Sequence, residues 1–331
     1  ITSTDGLVNV KTINKAEYAY IMDWDDYNAP AALYHMQSKG VKASSAFKPF
    51  TINTSNGTQS FNYGSILIPI SLQKKSPEEV YDIVKAAQEK YQVPVYGANS
   101  GFSSKGIDLG SRHFQALKKP KAALLIGDGI SSYEAGEVWH LLDTRMHMPI
   151  SKLQVNRFRS LNLDKYNTLV MVSGAYRQLD SVQQKKIKGW ASKGNTLITI
   201  ASASKWLIDK KMVKELLTQK PKDTAKTKDK MKEVERLPYV DASENIGREE
   251  LGGAIFNVDL DLTHPLAFGY RTPTLPVYKN NEVFLKPSKN AYSTVAKYTK
   301  NPHVDGYISP KNLETYLKPS ASLIVSPMGG G

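Results

Sequence analysis

The stretch GNTLITIASASKWLI (194–208) reads as a glycine stop, a continuously apolar strand and then, with no loop between, a helix. A strand that turns straight into a helix is where many α/β enzymes expose a nucleophile at the carboxyl edge of a sheet. The turn here is Ala201, Ser202, Ala203 and Ser204. Small residues suit a cramped backbone whether or not chemistry follows. The chain has no cysteine, so only the hydroxyls of Ser202 and Ser204 remain as nucleophiles. A serine nucleophile needs an imidazole base with a carboxylate behind it, and the candidate base is His264 in DLTHPLAFGY (261–270). His264 precedes a proline, which favours an extended or turn backbone, so a polar turn competes with a catalytic role. The expectation is a structural elbow without a working nucleophile. A serine hydrolase using Ser202 or Ser204 with His264 is the alternative.

Outward from this stretch, two halves share one order of elements. In the first, YAYIM (18–22) is a strand, and APAALYHMQSKG (29–40) is a helix with Asn28 as N-cap, Pro30 in its first turn and Gly40 as its stop. VKASSA (41–46) and SILIPI (65–70) are strands, SPEEVYDIVKAAQEKY (76–91) is a helix opened by a Ser76/Glu79 capping box, and VPVYGA (93–98) is a strand. In the second half AALLIG (122–127), PISKLQV (149–155), NTLVMVSG (167–174) and NTLITIA (195–201) are strands. SSYEAGEVWHLLDTRM (131–146) and DSVQQKKIKGWASKG (180–194) are helices, the latter with Asp180 and Gln183 in capping-box positions. Strands alternating with helices, several of them apolar throughout, predict parallel sheets covered on both faces. The fold class is therefore α/β, as two tandem flavodoxin-like parallel-sheet units, residues 1–118 and 119–331. The strands expected beyond Arg236, including NEVFLKP (281–287) and SLIVSP (322–327), are assigned to the second sheet, and SPKNLETYL (309–317) to a short helix.

The 331 residues suffice for two domains, and no apolar run approaches the length of a membrane span. Part of the net charge of +13 falls in DKKMVKELLTQKPKDTAKTKDKMKEVER (209–236), which mixes both signs and has no aromatic residue. It reads as a solvated insertion of the second unit, so no nucleic-acid partner is expected. The start, ITSTDGLVNV, shows no signal-peptide pattern. Both ends read as cut, giving the expectation of a piece of a larger polypeptide.

Three further places carry candidate chemistry. DWDDYNAP (23–30) sets Asp23, Asp25 and Asp26 around Trp24 and Tyr27 just past a strand end. Ligands of open α/β sheets bind at such ends; a contact with a neighbouring domain ranks first, a cationic, peptide or glycan ligand second. GDGISSYE (127–134) puts Gly127, Asp128 and Gly129 before a helix, where an anion can bind. The dinucleotide pattern is incomplete, because Ser132 takes the third glycine position, and Asp128 repels phosphate. Glu137, His140 and Asp143 share one helix. Such a set can hold a metal, but an exposed amphipathic face accounts for it, and no metal is expected in this chain.

AYIMDWDDYNAPAALYHMQSKGVKAS (19–44), VPVYGANSGFSSKGIDLGS (93–111), ALLIGDGISSYEAGEVWHLLDTR (123–145), YNTLVMVSGAYRQL (166–179) and DLTHPLAFGY (261–270) together resemble the carboxy-terminal region of large bacterial zinc carboxypeptidase-family proteins. In that family a carboxypeptidase A-like domain precedes a region similar to class I glutamine amidotransferases. The resemblance implies an exported protein, periplasmic or extracellular, whose zinc and catalytic residues lie in an N-terminal peptidase domain, the partner of this region. None of the histidines at 35, 113, 140, 147, 264 and 303 begins the H-x-x-E zinc motif, and the amidotransferase cysteine position falls at Ala201 or its neighbour. Neither chemistry transfers to a residue here.

Overall fold

A computed structural model describes residues 10, 12–218 and 236–330. The first part runs β1 (Ala19–Met22), α1 (Ala29–Ser38), β2 (Ser44–Ala46), β3 (Phe50–Thr54), β4 (Gly57–Phe61), β5 (Ile66–Pro69), α2 (Pro77–Tyr91), β6 (Val95–Ala98), β7 (Lys105–Gly106) and β8 (Phe114–Ala116). Local signals start and stop its helices. Ser76 Oγ accepts from the Glu79 N–H while Glu79 returns a bond to the Ser76 N–H, completing the predicted box. Asn28 differs from expectation, because its side chain makes no cap bond and its amide donates to the Tyr91 carbonyl at 3.1 Å.

The pairing of this first sheet corrects the expected parallel unit. Its order is β6-β1-β5-β2-β8, and every adjacent pair is antiparallel. β1 and β2 do run parallel, as do β5 and β6, but each pair is split by a strand of the other, the interleaved arrangement called split β-α-β. Residues alternate between two covered faces. Tyr20, Met22, Ile66 and Ile68 pack under α1 and α2. Ala19, Ile21 and Leu67 pack against Phe50, Ile52 and Phe61 of the β3–β4 hairpin. Burial on both faces makes an antiparallel strand read as a continuous apolar run, the signature expected of a parallel one.

The second part runs β9 (Ala122–Ile126), α3 (Ser132–Trp139), β10 (Ser151–Gln154), β11 (Thr168–Met171), α4 (Ser181–Ser192), β12 (Thr196–Thr199) and α5 (Ser202–Asp209). Its sheet is parallel, in the order β10-β9-β11-β12. α4 and α5 cover one face through Ile187, Trp190, Ala203 and Trp206. The other face is covered by α3, which passes into a wider π-type turn at His140–Arg145 instead of continuing as the single helix expected.

After the second unit comes a separate four-stranded antiparallel sheet, in the order β14-β13-β15-β16. It comprises β13 (Ala254–Leu260), β14 (Thr274–Lys279), β15 (Thr294–Gly306) and β16 (Ala321–Ile324), preceded by the exposed helix α6 (Ala242–Glu249). These strands do not extend the parallel sheet, contrary to expectation. NEVFLKP contributes only a bridging position, Leu285, between Leu217 and Ala321. The 309–317 helix is a π-type turn at Asn312–Leu317. The proposed insertion begins later than 209, because Met212 is buried and the Thr218 N–H donates to the Phe284 carbonyl at 2.8 Å; its remainder, 219–235, lies outside the described residues. Among the described residues no helix is long and apolar enough to cross a membrane.

Candidate functional site

The turn between β12 and α5 has the backbone of a nucleophile elbow. Ala201 sits at φ 49°, ψ −117°, a sparsely populated region that persists only where the surroundings enforce it. The enforcing contacts are the strand before it and the buried Ala203, Trp206 and Leu207 after it. The side chain at this point is a methyl group, so nothing can attack a substrate from it.

Its neighbours are engaged elsewhere. Ser202 Oγ accepts from the Gly174 N–H at 3.0 Å, and the Ser202 N–H donates to Ser173 Oγ at 3.3 Å. Ser204 Oγ donates to the Thr199 carbonyl at 3.0 Å and lies 2.9 Å from Thr199 Oγ1. An oxyanion hole at an elbow uses the N–H after the nucleophile and a second N–H from a nearby loop. Here the N–H after Ala201 points at Ser173 Oγ, and the neighbouring Gly174 N–H is held by Ser202 Oγ. The next N–H groups of α5 also have acceptors, Ala203 on Ile200 and Ser204 on Ala201. No free donor is left in the first turn to receive an anion.

The crevice at the carboxyl ends of β9 and β11, where the strand order reverses and ligands usually bind, is likewise closed by backbone. The Ser131 N–H donates to the Ser173 carbonyl at 2.8 Å and the Ala175 N–H to the Gly129 carbonyl at 2.9 Å. Glu134 accepts from the Ser173 N–H at 2.8 Å. Tyr176, buried at φ 48°, donates to the Val172 carbonyl at 2.5 Å, and burial pushes its phenol well above the usual range. Asp128 is exposed, with its carbonyl taking a bond from Gln178. Gly127–Gly129 is thus a tight turn in a closed network.

His264 is not part of this edge. Its Nδ1 accepts from the Leu266 N–H at 3.2 Å, capping the short Pro265–Ala267 turn. A neutral imidazole whose Nδ1 accepts carries its proton on Nε2 and has no second acceptor to offer. Among the described residues no imidazole hydrogen-bonds Ser202 or Ser204. The turn instead directs the following residues onto the loop after β1. Phe268 stacks on Tyr63 at 5.5 Å and meets Phe47 edge-on at 5.2 Å. Gly269, at φ +95°, lies so close that an added Cβ would stand 2.6 Å from the Trp24 carbonyl oxygen. Arg271 pairs with Asp25, its Nε at 2.6 Å from Oδ2.

DWDDY and HPLAFGYR, far apart in sequence, thus form one junction. Asp23 accepts from Ser65 Oγ at 3.2 Å, and burial, then the Asp25 charge, raise its carboxyl above the usual range. The same burial, with Asp23 and Asp25 nearby, raises the Tyr96 phenol. Asp26 caps the Asn28 N–H at 2.7 Å, and Tyr27 is exposed. Glu137 and His140 are exposed on α3 and the turn beyond it, and among the described residues no three His, Asp or Glu side chains gather as a metal site. Sequence reasoning missed Ser173, Gly174, Tyr176, Phe268 and Arg271. The quoted segments contained the first four, and Arg271 lies one residue past DLTHPLAFGY, but nothing in their spacing tells which loops meet.

No family model matches this chain, and neither a curated protein nor a solved structure gives a match.

Proposed function

We propose that this chain is a non-catalytic accessory region of an exported zinc carboxypeptidase-like protein, packing on the peptidase domain or regulating it. The observation that carries the non-catalytic part is Ala201, an elbow backbone with a methyl group where a nucleophile would stand and with both nearby N–H donors occupied by serine hydroxyls. The parallel sheet order β10-β9-β11-β12 supports reading the second unit as flavodoxin-like and amidotransferase-like. The carboxypeptidase partner, its zinc and export rest on the sequence resemblance alone. Among the described residues no three His, Asp or Glu side chains gather to hold zinc, and no chemical step is assigned to it here.

The test is direct. The purified chain with added zinc should release no amino acid from carboxypeptidase substrates, and a fluorophosphonate probe should leave Ser202 and Ser204 unlabelled. Turnover above background, or a label on either serine, refutes the proposal.

A further inference from the structure

A groove of about 390 Å³ lies between α3 and β10, lined by Ile126, Ile130, Gly136, Trp139, Lys152 and Gln154. That volume is within the range that accepts a small ligand or a few side chains. Two observations converge on it. The first is the strand edge: β10 pairs with β9 alone, and its outer edge has no strand partner among the described residues. An unpaired edge is a row of unmet N–H and C=O groups that an extended chain can satisfy. The second is the surface beside that edge. Lys152 lies opposite Leu124 and Gln154 opposite Ile126, so these four side chains share the face that carries the groove.

The edge also lacks its usual guard. A lysine on an edge strand ordinarily repels an added strand, but Lys152 Nζ is drawn over the Trp139 ring at 4.8 Å. Gly136 deepens the groove, since a Cβ there would meet no atom within 4 Å.

We propose that this groove binds an extended peptide, which adds to β10 as a fifth strand and lays alternate apolar side chains against the wall that Trp139 and the Lys152 stem form together. The main-chain bonds supply affinity and the groove selects the side chains. The site is separate from the closed elbow and does not depend on the accessory reading.

The experiment presents the full chain with a synthetic pool of capped hexapeptides covering all residue types. Retained peptides are identified by mass, and amide hydrogen exchange is followed along residues 149–155. Gly136→Leu fills the groove at a position with open space and a helical backbone, so it should leave the fold intact; Trp139→Ala removes the aromatic wall. The expected result is at least tenfold enrichment of peptides with alternating apolar residues on the native chain over Gly136→Leu. A smaller drop should accompany Trp139→Ala, with slowed exchange confined to β10 and loss of retention when alternate peptide amides are methylated. Equal retention by the native chain and Gly136→Leu, no retention at millimolar pool, or protection away from β10 overturns the proposal. So does a dimer that protects β10 without peptide, which would assign the edge to a second copy of the chain.

Discussion

The β12–α5 turn and the loop after β1 are built in opposite ways. The turn is satisfied by its neighbours at the same sheet edge, with Ser173, Gly174 and Ser202 exchanging bonds across adjacent loops. The loop is completed from far away by Gly269 against Trp24 and Arg271 on Asp25, with Phe268 packed on Tyr63 and Phe47 beside it. A local network forms whatever side chain stands at the turn, because its geometry is required by the strand and helix on either side. A long-range junction exists only if two distant segments are retained together. The first is a strained turn closed by its own neighbours, the second a structural connection between the first unit and the last sheet.

The largest effect is expected at Phe268. Removing its ring from between Tyr63 and Phe47 should cost about 3–5 kcal/mol, the usual loss for a buried Phe→Ala change. Urea unfolding of Phe268→Ala checks this, and a loss under 1 kcal/mol would mean that the junction holds nothing together.

At the elbow the expected sign reverses. Ala201→Gly relieves a backbone strained by roughly 1–3 kcal/mol, against a glycine entropy cost of about 0.5–1 kcal/mol, for a net gain near 1 kcal/mol. Thermal melting should show a modest rise. Ser173→Ala removes the acceptor of the Ser202 N–H, and its expected loss is about 1 kcal/mol. Faster exchange of that one amide, with the rest of α5 unchanged, would distinguish this loss from general loosening.

The smallest effect concerns pH. Asp23 has a raised folded-state value, from burial first and Asp25 second. A raised carboxyl favours the folded state fully below its unfolded value, and that contribution is lost as pH climbs through the folded one. Asp23→Asn should therefore remove a small decline in stability above the ordinary carboxylate range. Denaturant midpoints from pH 3 to 7 show it, and unchanged pH curves would mean that the buried charge carries no penalty.

Much of the fold was legible where the signal is local. The Ser76–Glu79 and Asp180–Gln183 boxes form as the sequence implies, and the order of strands and helices in both halves is present. Pairing was not legible in the first half, because interleaved antiparallel strands buried on two faces present the apolar runs of a parallel sheet. β15 was missed because Pro302 and alternating polar residues break its pattern, with exposed positions along much of its length. The elbow was legible as small residues on a strand-to-helix turn. Its closure was not, since Ser173 reaches Ser202 only once β11 lies beside β12. The Asp25–Arg271 pair spans 246 positions, beyond any local pattern.

The most direct measurement follows the amide resonances of Ser202 and Gly174 while a phenylboronic acid, a mimic of the tetrahedral intermediate at a serine, is added to the native chain. Both resonances should stay in place, because their N–H groups are held by Ser173 and Ser202 hydroxyls. Saturable movement of both, with a boron adduct on Ser202 or Ser204, would contradict it.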